Sequence, residues 1–93
     1  MDILENKNNI LIFDDGRYLC LVSYNSKIAR YDKKTCYLNL NKNKWDYSQT
    51  TLKHLKHFIN DYVEQGYYTT KKDFEAKIKK NGFIFLTDDE TTL

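Results

Sequence analysis

The chain has no proline and only three glycines among its 93 residues. Linkers and disordered tracts lean on those residue types, so most of the length reads as folded. No apolar run approaches the ~20 residues of a membrane-spanning helix. The opening "MDILENKNN" is acidic and polar, which does not match a secretory signal. The expectation is a cytoplasmic protein with no membrane partner. The two cysteines, Cys20 and Cys36, lie sixteen residues apart with no CxxC, a poor zinc signature. In a reducing compartment both are expected as buried free thiols. There is no glycine-rich phosphate loop and no strained serine elbow. With the carboxylates scattered through turns, no catalytic residue and no cofactor is expected.

What is present suits one small domain over residues 1–93. Apolar residues make up 41%, a share that includes eight tyrosines and five phenylalanines. A chain of this size buries only roughly 60–65% of its unfolded surface, so the core must be small. The net charge of +2 is uneven. Residues 1–16 carry −3, residues 27–56 carry +6, and the acidic run Asp88, Asp89 and Glu90 carries −3. A basic middle between acidic ends can meet phosphates or an acidic protein face, or simply be a solvated mixed surface.

The apolar pattern predicts an α+β fold. "NILIF" (9–13) stops at the turn signal "DDG". "RYLCLVSY" (17–24) reads as a strand buried on both faces or nearly so. "KIARYD" and "TCYLNL" alternate across "DKKT", a four-residue hairpin connection, with Cys36, Leu38 and Leu40 inward and Tyr37 and Asn39 outward. Residues 9–41 thus form an antiparallel meander. The period then changes. Leu52, Leu55, Ile59, Tyr62 and Val63, widened by Phe58, make one apolar helix face, with Gly66 as the stop. A second helix is expected over about 71–80, capped by Thr69 or Thr70, ended by Asn81-Gly82, and touching the core through Phe74 and Ile78. "GFIFLT" (82–87) is a last strand. Both helices are expected on one face of the sheet.

"WDYSQTTLKHLKHF" (45–58) carries the most chemistry. Ser48, Thr50 and Thr51 stand where a helix must start, and a hydroxyl there accepts from an orphan backbone N–H. Trp45 and Tyr47 would pack over the first turn. The histidines need another account. At 100° per residue His54, His57 and Asp61 fall together, away from the apolar face, at a spacing that a metal could share. That side reads as convex and wet, with Lys53, Lys56 and Asn60 beside it, so it is expected as a solvated or partner-binding surface without metal. Ser48 and His54 sit on different turns and make no nucleophile–base pair.

Two segments, "SYNSKIA" (23–29) and the stretch just quoted, resemble a family of small proteins from phages, plasmids and other mobile elements of Gram-positive bacteria. Its pattern is roughly Ser-Tyr-Asn-Thr-x-Ile-Ala, then Trp-x-Tyr-Ser-x-Thr-Thr-x-Lys-His-Leu-x-x-Phe. The matches are Ser23, Tyr24, Asn25, Ile28, Ala29, Trp45, Tyr47, Ser48, Thr50, Thr51, Lys53, His54, Leu55 and Phe58. Ser26 stands for the usual threonine and keeps the hydroxyl. The resemblance spans about residues 17–60; the rest looks individual to this chain. The family has no settled activity, so the resemblance implies origin rather than mechanism. It also suggests a polar network from the turn at Asn25 to the helix start.

Two functions are expected in order. The first is a non-catalytic inhibitor that binds a host defence protein or nucleoprotein, such as a CRISPR nuclease, in the host cytoplasm. Its contacts would be Tyr37 on the outer sheet face and Lys53, His54, Lys56 and His57 on the exposed helix face. The second is a nucleic-acid-binding module, with Lys42, Lys44, Lys53 and Lys56 on phosphates and Tyr31 and Tyr37 stacking on bases. Self-association stays open.

Overall fold

Tight turns set the architecture. The computed structural model describes residues 1–63, 71–79 and 84–87, without the side chains of residues 74 and 77–79. Strands β1 (Asp2–Lys7) and β2 (Ile10–Asp14) are joined by Asn8 and Asn9, at φ 54° and 66°. Strands β3 (Tyr18–Ser23) and β4 (Ser26–Asp32) are joined by Tyr24 and Asn25, at φ 49° and 68°. Two central residues at positive φ are what a type I′ turn requires, and such a turn suits the twist of a hairpin. Between β2 and β3, Gly16 takes φ 107°, where any Cβ would be strained, and the Asp14 and Asp15 carboxylates accept from backbone N–H groups of the turn.

The connection from β4 to β5 (Tyr37–Asn41) is built on Asp32. Its carboxylate accepts two hydrogen bonds from Arg17, at 3.1 and 2.8 Å, and others from the backbone N–H groups of Lys34 and Thr35. The Arg17 guanidinium, with those backbone donors, holds the Asp32 carboxyl well below the usual carboxylate range.

The six strands stand in chain order in one sheet. The first four pairings are antiparallel, and β6 (Ile84–Thr87) closes the sheet parallel to β5. A parallel neighbour needs a crossover. Here it contains α1 (Gln49–Phe58), a π-helical turn (Ile59–Val63) and α2 (Lys71–Lys79). The fold is α+β, as the sequence pattern predicted.

Three expectations are corrected. The meander does not begin at residue 9, because β1 precedes it; this edge strand is exposed at every position but Glu5, so it lacks the alternation that marks a half-buried strand. Cys36 is exposed rather than inward, because it closes the turn at φ 62° before β5 begins. Cys20 is buried as expected. Tyr31 is half-buried against the core rather than free to stack on a base. The expected stop at Gly66, the caps at Thr69, Thr70, Asn81 and Gly82, and the contacts of Phe74 and Ile78 lie outside the described residues.

The core lies between the sheet and α1. Ile12, Leu21, Leu38 and Leu40 from the sheet meet Leu55, Phe58 and Ile59 from the helix, all at 0% exposure. Trp45, at 6%, is part of that core rather than a cover on the first turn. By alternation the other face of the sheet presents Leu11, Phe13, Tyr18, Val22, Tyr37 and Phe85. There the Arg17 and Arg30 guanidiniums lie over the Tyr18 ring, at 5.2 and 4.3 Å.

Candidate functional site

Helix α1 starts as its sequence demands. Ser48 is the N-cap, with extended backbone, and its Oγ accepts from the Thr51 N–H at 3.1 Å. The inward stripe is Thr51, His54, Leu55, Phe58 and Ile59. Residues three and four apart on one face produce such a stripe, but it is turned relative to the expected one. His54 is therefore on the sheet side, 8% exposed, and not on the wet side with His57. The reason is a partner at the end of β3. Ser23, 2% exposed, places its Oγ 2.7 Å from His54 Nδ1. A buried polar ring is tolerated when it is hydrogen-bonded.

Tyr24, the next residue, lies over the same ring, with centroids 5.7 Å apart and planes 30° apart. Burial, with smaller contributions from His57 and Lys53, pushes the His54 pKa below its ordinary value. The ring is neutral at pH 7. The link from the hairpin turn to the helix thus runs through Ser23 and His54. Asn25 itself is exposed and supplies the left-handed backbone of the turn.

Beside this pair opens a cleft of about 510 Å³. One wall is the β3–β4 hairpin and the other is the segment entering α1. Ser26, Ser48, Thr50 and Thr51 contribute hydroxyls to its lining, while Tyr24 and Tyr47 are 52% and 77% exposed at it. Lys44 reaches across and donates to Ser26 Oγ at 2.9 Å. A second, shallower depression shares Thr50 and continues along the helix past Lys53 and Lys56 to Lys71. Lys71 pairs with Asp46 at 3.3 Å and with Glu75 at 3.8 Å. Nothing in the sequence flagged Ser23, Tyr24 or Lys44 as one site with His54. The signal available was the presence of Ser23, Tyr24 and His54 in the same two-part motif.

His57 belongs to a different cluster. Its Nε2 lies 2.7 Å from Glu5 Oε1 and its Nδ1 lies 2.9 Å from Asp61 Oδ2. The Tyr62 hydroxyl donates to the same Glu5 oxygen at 2.5 Å. That bond first, and His57 second, lower the Glu5 pKa, while burial beside Glu5 pushes Tyr62 up to about 12. Glu5, His57 and Asp61 bring one potential ligand atom each within 4.8 Å of one another. However, the two ring nitrogens face different carboxylates. One imidazole between two acids makes a polar clasp between β1 and the helix. The expected grouping of His54 with His57 and Asp61 is corrected: only the latter two meet.

Of the remaining expected contacts, Lys53 is exposed and Lys56 partly so. Tyr37 is 50% exposed and packs edge-on against Phe85 at 5.1 Å. By strand alternation it lies on the sheet face opposite α1, so the structure does not bring it together with the helix residues.

The Ser23–His54 contact ties the end of β3 to α1. A serine nucleophile needs access and a base oriented by a third group. Ser23 is only 2% exposed although it lines the cleft, and among the described residues His54 has no hydrogen-bond partner other than Ser23. No helix of the described residues is long and apolar enough to cross a membrane.

The chain matches a family of unknown function, DUF8033, over residues 2–81. It belongs to DUF8033. The DUF8033 match extends past both ends of the 17–60 stretch on which the motif resemblance rested, so the flanking residues are not individual to this chain. Neither the curated proteins nor the solved structures contain a match.

Proposed function

We propose that this DUF8033 chain is a non-catalytic binding protein of phage or other mobile-element origin. It works in the cytoplasm of the host and blocks a host defence protein or nucleoprotein, such as a CRISPR nuclease, by occupying it. One observation carries the reading. The two motif segments, far apart along the chain, meet at one open cleft at which Tyr24 and Tyr47 are exposed, while its Ser–His pair is buried and hydrogen-bonded to itself. Tyrosine gives large contact area at low entropic cost, which suits a small footprint. The interface is the cleft and the adjoining helix surface at Lys53 and Lys56, with Tyr37 outside it.

The test begins with capture of the target from host lysate, with and without nuclease treatment. The target's activity is then titrated. It should fall linearly with added protein and reach its floor near equivalence. A catalytic amount sufficing, or separate elution of protein and target, defeats the reading. Charge reversal at Lys53 and Lys56 together should weaken inhibition while leaving the fold intact.

A further inference from the structure

The cleft and the shallower depression adjoin at Thr50, which lines both; the two together are the groove. Lys44, Lys53 and Lys56 line it, as does Lys71, whose charge is met by Asp46 and Glu75 just outside the lining. Lys53 and Lys56 form no ion pair with a described residue. They lie three apart on the helix and so stand as neighbours on its surface. The cationic groove therefore complements a linear polyanion.

Its aromatic end narrows the class of ligand. Tyr24 sits at φ 49°, a conformation that bulky residues rarely adopt and that asparagine or glycine adopts readily. The β1–β2 turn of this same chain uses Asn8-Asn9 for that geometry. A strained backbone residue points to a use for its side chain. One side of the Tyr24 ring rests on His54 and the residue is still half exposed, so its position is fixed while ring surface stays open. Tyr47 stands more exposed on the same cleft. Flat rings beside a lysine-lined track are the parts that hold unpaired bases and their phosphates.

We propose that this groove binds single-stranded nucleic acid, with Tyr24 and Tyr47 stacking on bases and Lys44, Lys53 and Lys56 contacting phosphates. This rests on the reading of the chain as a binding module and names the nucleic-acid part of a nucleoprotein as what it touches. Duplex DNA fits poorly, because its bases are already stacked and present no faces to the tyrosines.

The experiment uses the full chain and fluorescein-labelled DNA and RNA strands of ~10 nucleotides, a length within the usual site size of such grooves. Anisotropy at ~50 mM salt should show binding to single strands, weakened by salt with a log–log slope of about −2 for three phosphate contacts. Lys53→Gln with Lys56→Gln should bring that slope to about −0.7. Tyr24→Asn keeps the turn geometry and removes the ring. It should lose about 5- to 100-fold in affinity while its melting temperature holds or rises. A purely structural Tyr24 would instead lose melting temperature with no change in affinity, which overturns the stacking role.

Absence of binding to either strand, or equal binding to duplex, overturns the proposal. If oligonucleotides fail while the protein still inhibits its captured target at equivalence, the groove holds protein, and the binding-module reading survives without this one. If strands bind but no target is inhibited, the groove proposal and the binding-module reading stand and the inhibition of a host target falls.

Discussion

His54 Nδ1 and Ser23 Oγ, thirty-one residues apart in sequence, lie 2.7 Å from each other beneath the Tyr24 ring. This contact fastens the β3–β4 turn to α1 and fixes the wall of the cleft. It also makes stability depend on pH. The unfolded chain protonates this histidine near 6.5, while burial holds the folded value lower. As pH falls through 6.5 the unfolded state takes up a proton that the native state refuses, so the contribution is full above 6.5 and lost below it. Denaturant midpoints measured across that range should fall more steeply for the natural chain than for His54→Gln. Parallel curves for the two would mean that the ring is not held neutral.

A second acid-sensitive link sits at the other end of the sheet. Glu5 on β1 accepts from Tyr62 and His57, and its folded pKa lies below 4.5. Its contribution is therefore present above 4.5 and disappears as pH falls through the lower folded value. Glu5→Gln should leave the core strands intact and loosen β1, the exposed edge. Hydrogen exchange would register this as faster exchange of β1 amides alone. Uniform acceleration over all strands would show that β1 is integral to the cooperative unit.

The strands β2 to β5 were legible because alternation exposes their inward residues, Leu38 and Leu40 among them, and because acidic and glycine signals mark the turns. The β3–β4 turn was harder: it occupies Tyr24 and Asn25, so it takes the last residue of "RYLCLVSY", which reads as strand, and tyrosine is not a turn residue. β1 carries only two apolar residues, Ile3 and Leu4, both exposed. The face of α1 was misplaced at His54, since a polar residue is assigned outward until a buried hydroxyl partner is known. Contacts such as Glu5 with His57, fifty-two residues apart, leave no trace in local pattern.

The two cysteines should separate in a thiol titration of the native protein. Burial pushes the Cys20 thiol up to about 11, while Cys36 is exposed on its turn. Since the thiolate is the reactive form, one equivalent should react quickly with a disulfide reagent at neutral pH. The second should wait for denaturant. Mass analysis must place the fast label on Cys36, and Cys36→Ser should abolish the fast phase without shifting the melting temperature appreciably. A fast label on Cys20 would mean that the sheet face opposite α1 opens readily.

Helix α1 is clamped at both its cap and its buried stripe, and the two should differ in cost. Leu55 is fully buried in the core, so Leu55→Ala leaves a cavity and should cost ~2–5 kcal/mol. Ser48→Ala removes one N-cap acceptor and should cost about 1 kcal/mol. Lys53→Ala, on the exposed side, should stay within about 0.5 kcal/mol of the natural chain. Chemical denaturation of the three variants ranks them directly. If Lys53→Ala cost as much as Leu55→Ala, the helix would have to be rotated by about half a turn, His54 would leave Ser23, and the cleft would lose its wall.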